Sequence, residues 1–422
     1  MVDGKFIEMQ TEIMKNYPPA NAQALLNIFN AASGMQEYLD DVLAKTRESY
    51  LYTQLRDLVE NYYDIGTLLD VYQIFGGYIN TSFGIYTEKN GEKQTWFVRK
   101  YKNGKELESL LFEHSMLKYA RENGFSYGAV PIPAKDGKTY HEVTETTTEG
   151  ETKSYFAVFN FVGGKAHYDW IPNWANAGVA DLTVTSAAKS LAEFHNSTRG
   201  FDPEGRHGDN IMDNEDITVN EIIRKFPKTL KEYRKSYAEA GFENVYTEYY
   251  DANYDYFAKM CERSVIPDAD YNTMVSNVCH CDFHPGNFKY LDNGEVCGSF
   301  DYDMAKIDSR LFELGLAIHY CFSSWLSDTN GIINLGRASL FVKTYDEELR
   351  KAGGIEPLTD IEKNYLYEVT VQGALYDLGW CSSACVYDST LDPYEYLFYT
   401  QHFVACLKWL EANEEAFRKA FK

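Results

Sequence analysis

Long apolar runs are missing from this chain. No stretch approaches the roughly 20 residues that a bilayer-crossing helix requires, so a membrane protein of that kind is not expected. Met1-Val2-Asp3-Gly4-Lys5 holds no basic segment leading into an apolar core, which predicts no secretory leader. Positive charge is scarce too: 40 Lys and Arg against 63 Asp and Glu leave a net charge of −23. A surface of that sign repels nucleic acid and anionic lipid, and neither is expected as a partner. Cysteine does not occur before Cys261, and the eight thiols from that position on keep no metal-ligand rhythm. Cys381 and Cys385 sit four apart on one helix face, where buried thiols are expected rather than a zinc site; the expected location is a reducing cytoplasm.

Material for a core is plentiful. Apolar residues make up 45% of the 422, with 34 Tyr and 25 Phe, which suits two lobes rather than one small core. Residues 1–70 read as a helical extension, because Ala20–Phe29 and Tyr38–Val59 carry apolar residues at three- and four-residue steps. From Val71 the period shortens to that of strands. Val71–Phe75 leads through Gly76 and Gly77 to Gly84, then Ile85–Thr87, a turn at Lys89-Asn90-Gly91, and Thr95–Tyr101. Alternation puts Arg99 and Lys100 on opposite faces of the last of these, so only one can enter a cleft. Lys105–Asn123 is expected as a helix carrying Glu108 and Glu113, and Tyr155–Gly164 is a β run ending in two glycines. Residues 71–160 are thus read as a small lobe and 161–422 as a large, mainly helical one.

Within the large lobe stands His280-Cys281-Asp282-Phe283-His284-Pro285-Gly286-Asn287, followed shortly by Phe300-Asp301-Tyr302-Asp303. Pro285 and Gly286 force a tight, non-helical loop. Asp292-Asn293-Gly294 between two short apolar runs signals a hairpin that pairs 288–291 with 295–300 and brings Asp282, Asn287 and Asp301 together. One Asp near an Asn and a second Asp is the set that phosphoryl transfer from ATP requires. A carboxylate accepts the proton of the attacking hydroxyl, while the amide oxygen and the other carboxylate hold Mg²⁺ on the phosphates. The acidic surface does not exclude a nucleotide, because Mg²⁺ and one or two local bases neutralise its phosphates.

The eight residues resemble the H-G-D-x-H-x-x-N loop of the aminoglycoside phosphotransferase and choline kinase superfamily, small-molecule kinases of protein-kinase-like fold. The resemblance implies an α+β, two-lobed fold: a small lobe with an antiparallel sheet, a large helical lobe, and ATP between them. It implies Asp282 as catalytic base, Asn287 and Asp301 as metal ligands, and Arg99 (with Lys100 as runner-up) as the cation on the α/β-phosphates. Glu113, or else Glu108, would pair with that cation, and the backbone at Asn160 and Val162 would read adenine. His280 and Glu313, the latter where the family has Asp, would brace the loop; His195, closing a long helix, would be structural. Cys281 stands where the family has Gly, and is strained if that position needs φ > 0. The implied function is transfer of the γ-phosphate of ATP to a hydroxyl of a small acceptor: an amino alcohol, a hydroxy amino acid, a sugar or an antibiotic. The alternative is a catalytically silent, kinase-like nucleotide-binding module, against which stands the presence of Asp282, Asn287 and Asp301 together. A protein kinase is disfavoured, since only Met304–Arg310 stand where an activation segment would be.

Overall fold

The computed structural model describes residues 50–74, 80–147, 150–165, 174–175, 179–208, 217–387 and 392–422. The helices expected before Tyr50, the glycines Gly76 and Gly77, and the side chain of Cys385 lie outside the described residues. The chain divides into two compact units, Met1–Lys105 with Pro131–Phe161, and Glu106–Val130 with Val162–Lys422.

The first unit is a five-stranded antiparallel sheet in the order β1-β2-β3-β5-β4: β1 (Thr67–Ile74), β2 (Thr81–Lys89), β3 (Glu92–Lys100), β4 (His141–Thr147) and β5 (Gly150–Asn160). Asn90 and Gly91 both adopt positive φ, 56° and 80°, the turn that matches strand twist, and Lys89 faces Glu92 across it. Helix α1 (Tyr50–Asp57) covers one face of the sheet. Leu55, Val59, Val71, Phe83, Ile85, Val98, Phe156 and Val158 form the core there, each side chain contributing about 1.5–3 kcal/mol by leaving water. Val98 faces that core. Arg99, next along β3, turns the other way, with its guanidinium 5.8 Å from the rings of both Phe97 and Tyr101. Lys100 returns to the core face, its Nζ 5.7 Å from the ring of Phe156.

The second unit is helical: α2 (Leu107–Glu122), α3 (Asp181–Ser197), α4 (Val219–Glu239), α5 (Val245–Ser264), α6 (Arg310–Phe322), α7 (Leu335–Ala352), α8 (Leu366–Tyr387) and α9 (Pro393–Ala412). Two short ladders interrupt the helices. β6 (Ser276–Cys279) pairs with β9 (Lys306–Ser309), and β7 (Phe288–Tyr290) with β8 (Val296–Ser299). The second is the hairpin expected around Asp292-Asn293-Gly294, where Gly294 takes φ 84°. The α6 helix runs through the middle of this unit and is buried along most of its length. It lies backbone to backbone on α8, because a Cβ at Gly315 would come within 2.4 Å of Val369 and one at Gly373 within 3.0 Å of Leu316. At its start, Arg310 and Glu362 form a fully buried bidentate pair at 2.8 Å, and the guanidinium also reaches the Glu356 carbonyl at 2.6 Å. Among the described residues no helix is long and apolar enough to cross a membrane.

Candidate active site

The loop after β6 cannot continue its strand, because Cys281 takes φ 62° and Pro285 opens a single 3-10 turn, Pro285–Asn287. The left-handed conformation foreseen as a strain at Cys281 is therefore present. It turns two successive N–H groups, those of His280 and Cys281, onto one carboxylate oxygen of Glu313, the second at 3.2 Å. Glu313 is 0% exposed and its other oxygen has no hydrogen-bond partner among the described residues. Burial pushes its carboxyl up to about 8, against the two N–H bonds, which act downwards. The proton then belongs on the unpartnered oxygen.

His280 links the two acidic turns. Its Nδ1 accepts from the Asp282 N–H at 3.3 Å, so Nε2 carries the proton and donates to the Phe300 carbonyl at 3.0 Å. Burial lowers the His280 pKa, consistent with this neutral tautomer. The Phe300 N–H in turn donates to the Asn287 carbonyl at 3.1 Å. The residue that follows is Asp301, held at φ 70°, a second left-handed residue that redirects its side chain out of the β8 line.

Asp282 keeps 28% of its side-chain surface exposed. Its Oδ2 accepts from Nδ2 of Asn287 at 2.8 Å, and the same nitrogen reaches the Asp282 carbonyl at 2.8 Å. Both Asn287 donor bonds therefore go to Asp282, which leaves the amide oxygen as an acceptor, the atom type a hard cation takes. Across from Asn287, Nε2 of His284 lies 3.6 Å from the same Oδ2, while its Nδ1 accepts from the Gly286 N–H at 3.1 Å. Burial would raise the Asp282 carboxyl, but the neighbouring His284, followed by His280 and the Asn287 amide, holds it below the usual carboxylate value. Burial would likewise lower His284, and Asp282, then Asp301 and Asp377, raise it instead. Asp282 and Asn287 are thus joined directly, and His280 ties the Asp282 backbone to Phe300, the residue before Asp301.

The other expected residues are placed as follows. Arg99 is 5% exposed on β3 of the first unit, and Glu113 is 3% exposed on α2 of the second, an unusual depth for a glutamate. Glu108 is exposed and sits 3.8 Å from Arg206. Asn160 closes β5 opposite Trp96, and the boundary between the two units falls between Phe161 and Val162. Val162 packs on the β7–β8 hairpin, where a Cβ at Gly298 would meet its Cγ1 at 2.2 Å. His195 is fully buried under the loop, with Nδ1 2.7 Å from the Tyr345 hydroxyl, and burial, then Arg310 and His280, lower its pKa to about 3. Sequence reading missed Tyr320 and Asp377: the Tyr320 ring lies 5.5 Å from that of His284, yet no short motif marks either residue.

Residues 70–331 match the sequence profile of the phosphotransferase enzyme family. Comparison with curated protein sequences gives no match. Three solved structures are similar. A microcompartment-associated aminopropanol kinase shares 13% identity at a TM-score of 0.53, over 88% of this chain and 100% of that one. Amicoumacin kinase, in complex with AMP-PNP, Ca²⁺ and Ami, shares 13% at 0.51, over 88% and 95%. Choline kinase from Cryptosporidium parvum Iowa II shares 13% at 0.52, over 83% and 91%. At such identity the likeness is one of fold, that of protein-kinase-like small-molecule kinases.

Proposed function

Because the chain belongs to the phosphotransferase enzyme family, we propose that it transfers the γ-phosphate of ATP to a hydroxyl of a small metabolite or antibiotic. The observation that carries this reading is the single hydrogen-bonded loop in which Asn287 aims Asp282 and His280 ties Asp282 to the Phe300-Asp301 turn. Asp282 is the catalytic base: ionised, partly exposed, and limited on one oxygen by Asn287 and His284, it offers the other to the acceptor's proton. The amide oxygen of Asn287 and the carboxylate of Asp301 are an oxygen donor set that fits Mg²⁺, which when bound neutralises phosphate charge. Arg99, with Glu113 as its partner, is the cation for the α/β-phosphates. The backbone at Asn160 and Val162 is the adenine reader. Positioning and charge, rather than covalent chemistry, supply the acceleration.

The acceptor class draws support from the fold relatives, whose names include an aminopropanol kinase and a choline kinase. A cytoplasmic location is supported by the thiols of Cys261, Cys279, Cys281, Cys297, Cys321 and Cys406, which form no disulfide among the described residues. An ATP-consumption screen across hydroxylated amines, hydroxy amino acids, sugars and aminoglycosides tests the proposal. Turnover with one class, lost in Asp282→Asn, supports it. Mg²⁺-dependent ATP binding with no turnover across the panel would favour the silent nucleotide-binding module.

A further inference from the structure

One buried carboxylate beside this machinery has no part in the roles assigned above. Asp377, on α8, is 1% exposed, and its Oδ2 lies 3.0 Å from Nε2 of His319, also 1% exposed. The contact is off the line of a directed hydrogen bond, and neither Asp377 oxygen has an aligned donor among the described residues. His319 is followed on α6 by Tyr320, whose ring is 5.8 Å from His319 and 5.5 Å from His284. His284 stands 3.6 Å from Asp282. A continuous line of contacts therefore runs from Asp377 through the His319-Tyr320 step and His284 to Asp282. The glycine contacts at Gly315 and Gly373 hold α6 and α8 too close for the pair to drift apart.

We propose that Asp377 is a positioning residue for the phosphoryl-transfer centre: acting through its contact with His319 and the neighbouring Tyr320 ring, it holds the His284 ring against Asp282 and so aims the base. The consequence for turnover rests on the kinase reading above, whereas the placing of His284 does not. A core ion pair that merely stabilises the helices would leave His284 and the rate per folded molecule untouched.

Asp377→Asn and His319→Gln, singly and combined in the full chain, separate these roles. Expected in each single variant is a fall in kcat of about tenfold to a hundredfold, the scale of a small misplacement of a reacting group. The KM for ATP should stay unchanged, and the double variant should be no slower than the worse single one, since the two act in series. In ¹⁵N-histidine spectra, the imidazole signals assigned to His284 by their loss in His284→Gln should move in both single variants. Wild-type kcat in Asp377→Asn, multiplicative losses in the double variant, or stationary His284 signals would overturn the proposal. A lowered melting point with unchanged kcat per ATP-binding site would also overturn it, in favour of a structural pair. If the wild-type protein phosphorylates no acceptor, the kinase reading fails, and the His284 spectra still decide the positioning claim.

Discussion

Asp282 and Asn287 are five residues apart in the chain, and the loop between them is short enough that sequence alone places one beside the other. The observed 2.8 Å bond follows from that closeness and from the Pro285-Gly286 step. Replacing Asp282 with Asn keeps the shape and removes the carboxylate proposed as proton acceptor. Turnover should fall by about 10²–10⁴-fold, the usual weight of a general base, while Mg²⁺·ATP affinity measured by calorimetry stays nearly intact. Equal turnover would refute the assignment. Cys281 offers a second test at this scale. Its left-handed backbone costs a non-glycine residue about 1–2 kcal/mol, a cost that the two N–H bonds to Glu313 offset. Cys281→Gly and Cys281→Ala both delete the buried thiol, but only the first removes that cost. In urea unfolding, the Gly variant should therefore be the more stable of the two by about 1 kcal/mol.

One helix acts as the template for the whole loop. Glu313 holds the His280 and Cys281 amides, Cys321 lies with Sγ 3.7 Å from the Phe283 carbonyl, and Tyr320 sits against His284, so positions 313, 320 and 321 present one face of α6. Glu313→Ala strands two buried N–H groups and should cost about 2–4 kcal/mol in denaturant unfolding. Glu313→Gln keeps an acceptor for both and imitates the protonated acid. Because burial raises the Glu313 carboxyl from 4.5 to about 8, the folded protein holds a proton that the unfolded chain has released between those values. The contribution of this group to stability is complete below pH 4.5 and is lost as pH rises to about 8. The wild-type protein should thus lose stability relative to Glu313→Gln across that window. A difference that stays constant with pH would show Glu313 to be ionised throughout.

At the scale of the molecule, a ligand that binds only the folded state adds its binding free energy to stability. Mg²⁺·ATP at about 100 times its Kd should contribute about 2.7 kcal/mol and raise the melting midpoint by several degrees. EDTA should abolish most of that rise, and so should Asp301→Ala; a full shift in Asp301→Ala would exclude Asp301 as a metal ligand. The net charge of −23 works in the same direction, since an acidic surface binds the nucleotide's phosphates only with cations to answer them.

Whatever depends on neighbours along the chain was determined by the sequence itself: the Asn90-Gly91 hairpin, the tight Asp282–Asn287 loop, the β7–β8 pairing, and the alternation that turns Arg99 away from the core that Val98 faces. These follow from backbone geometry and period, which are local properties. Contacts between segments far apart in the chain were decided by tertiary structure alone. Asp377 comes to His319 across 58 residues because α6 and α8 touch where two glycines remove the side chains between them, and Tyr320 on α6 meets His284 of the catalytic loop across 36. The depth of Glu313, which moves its proton affinity to about 8, is likewise a property of the packed helices and of no residue near it in the chain.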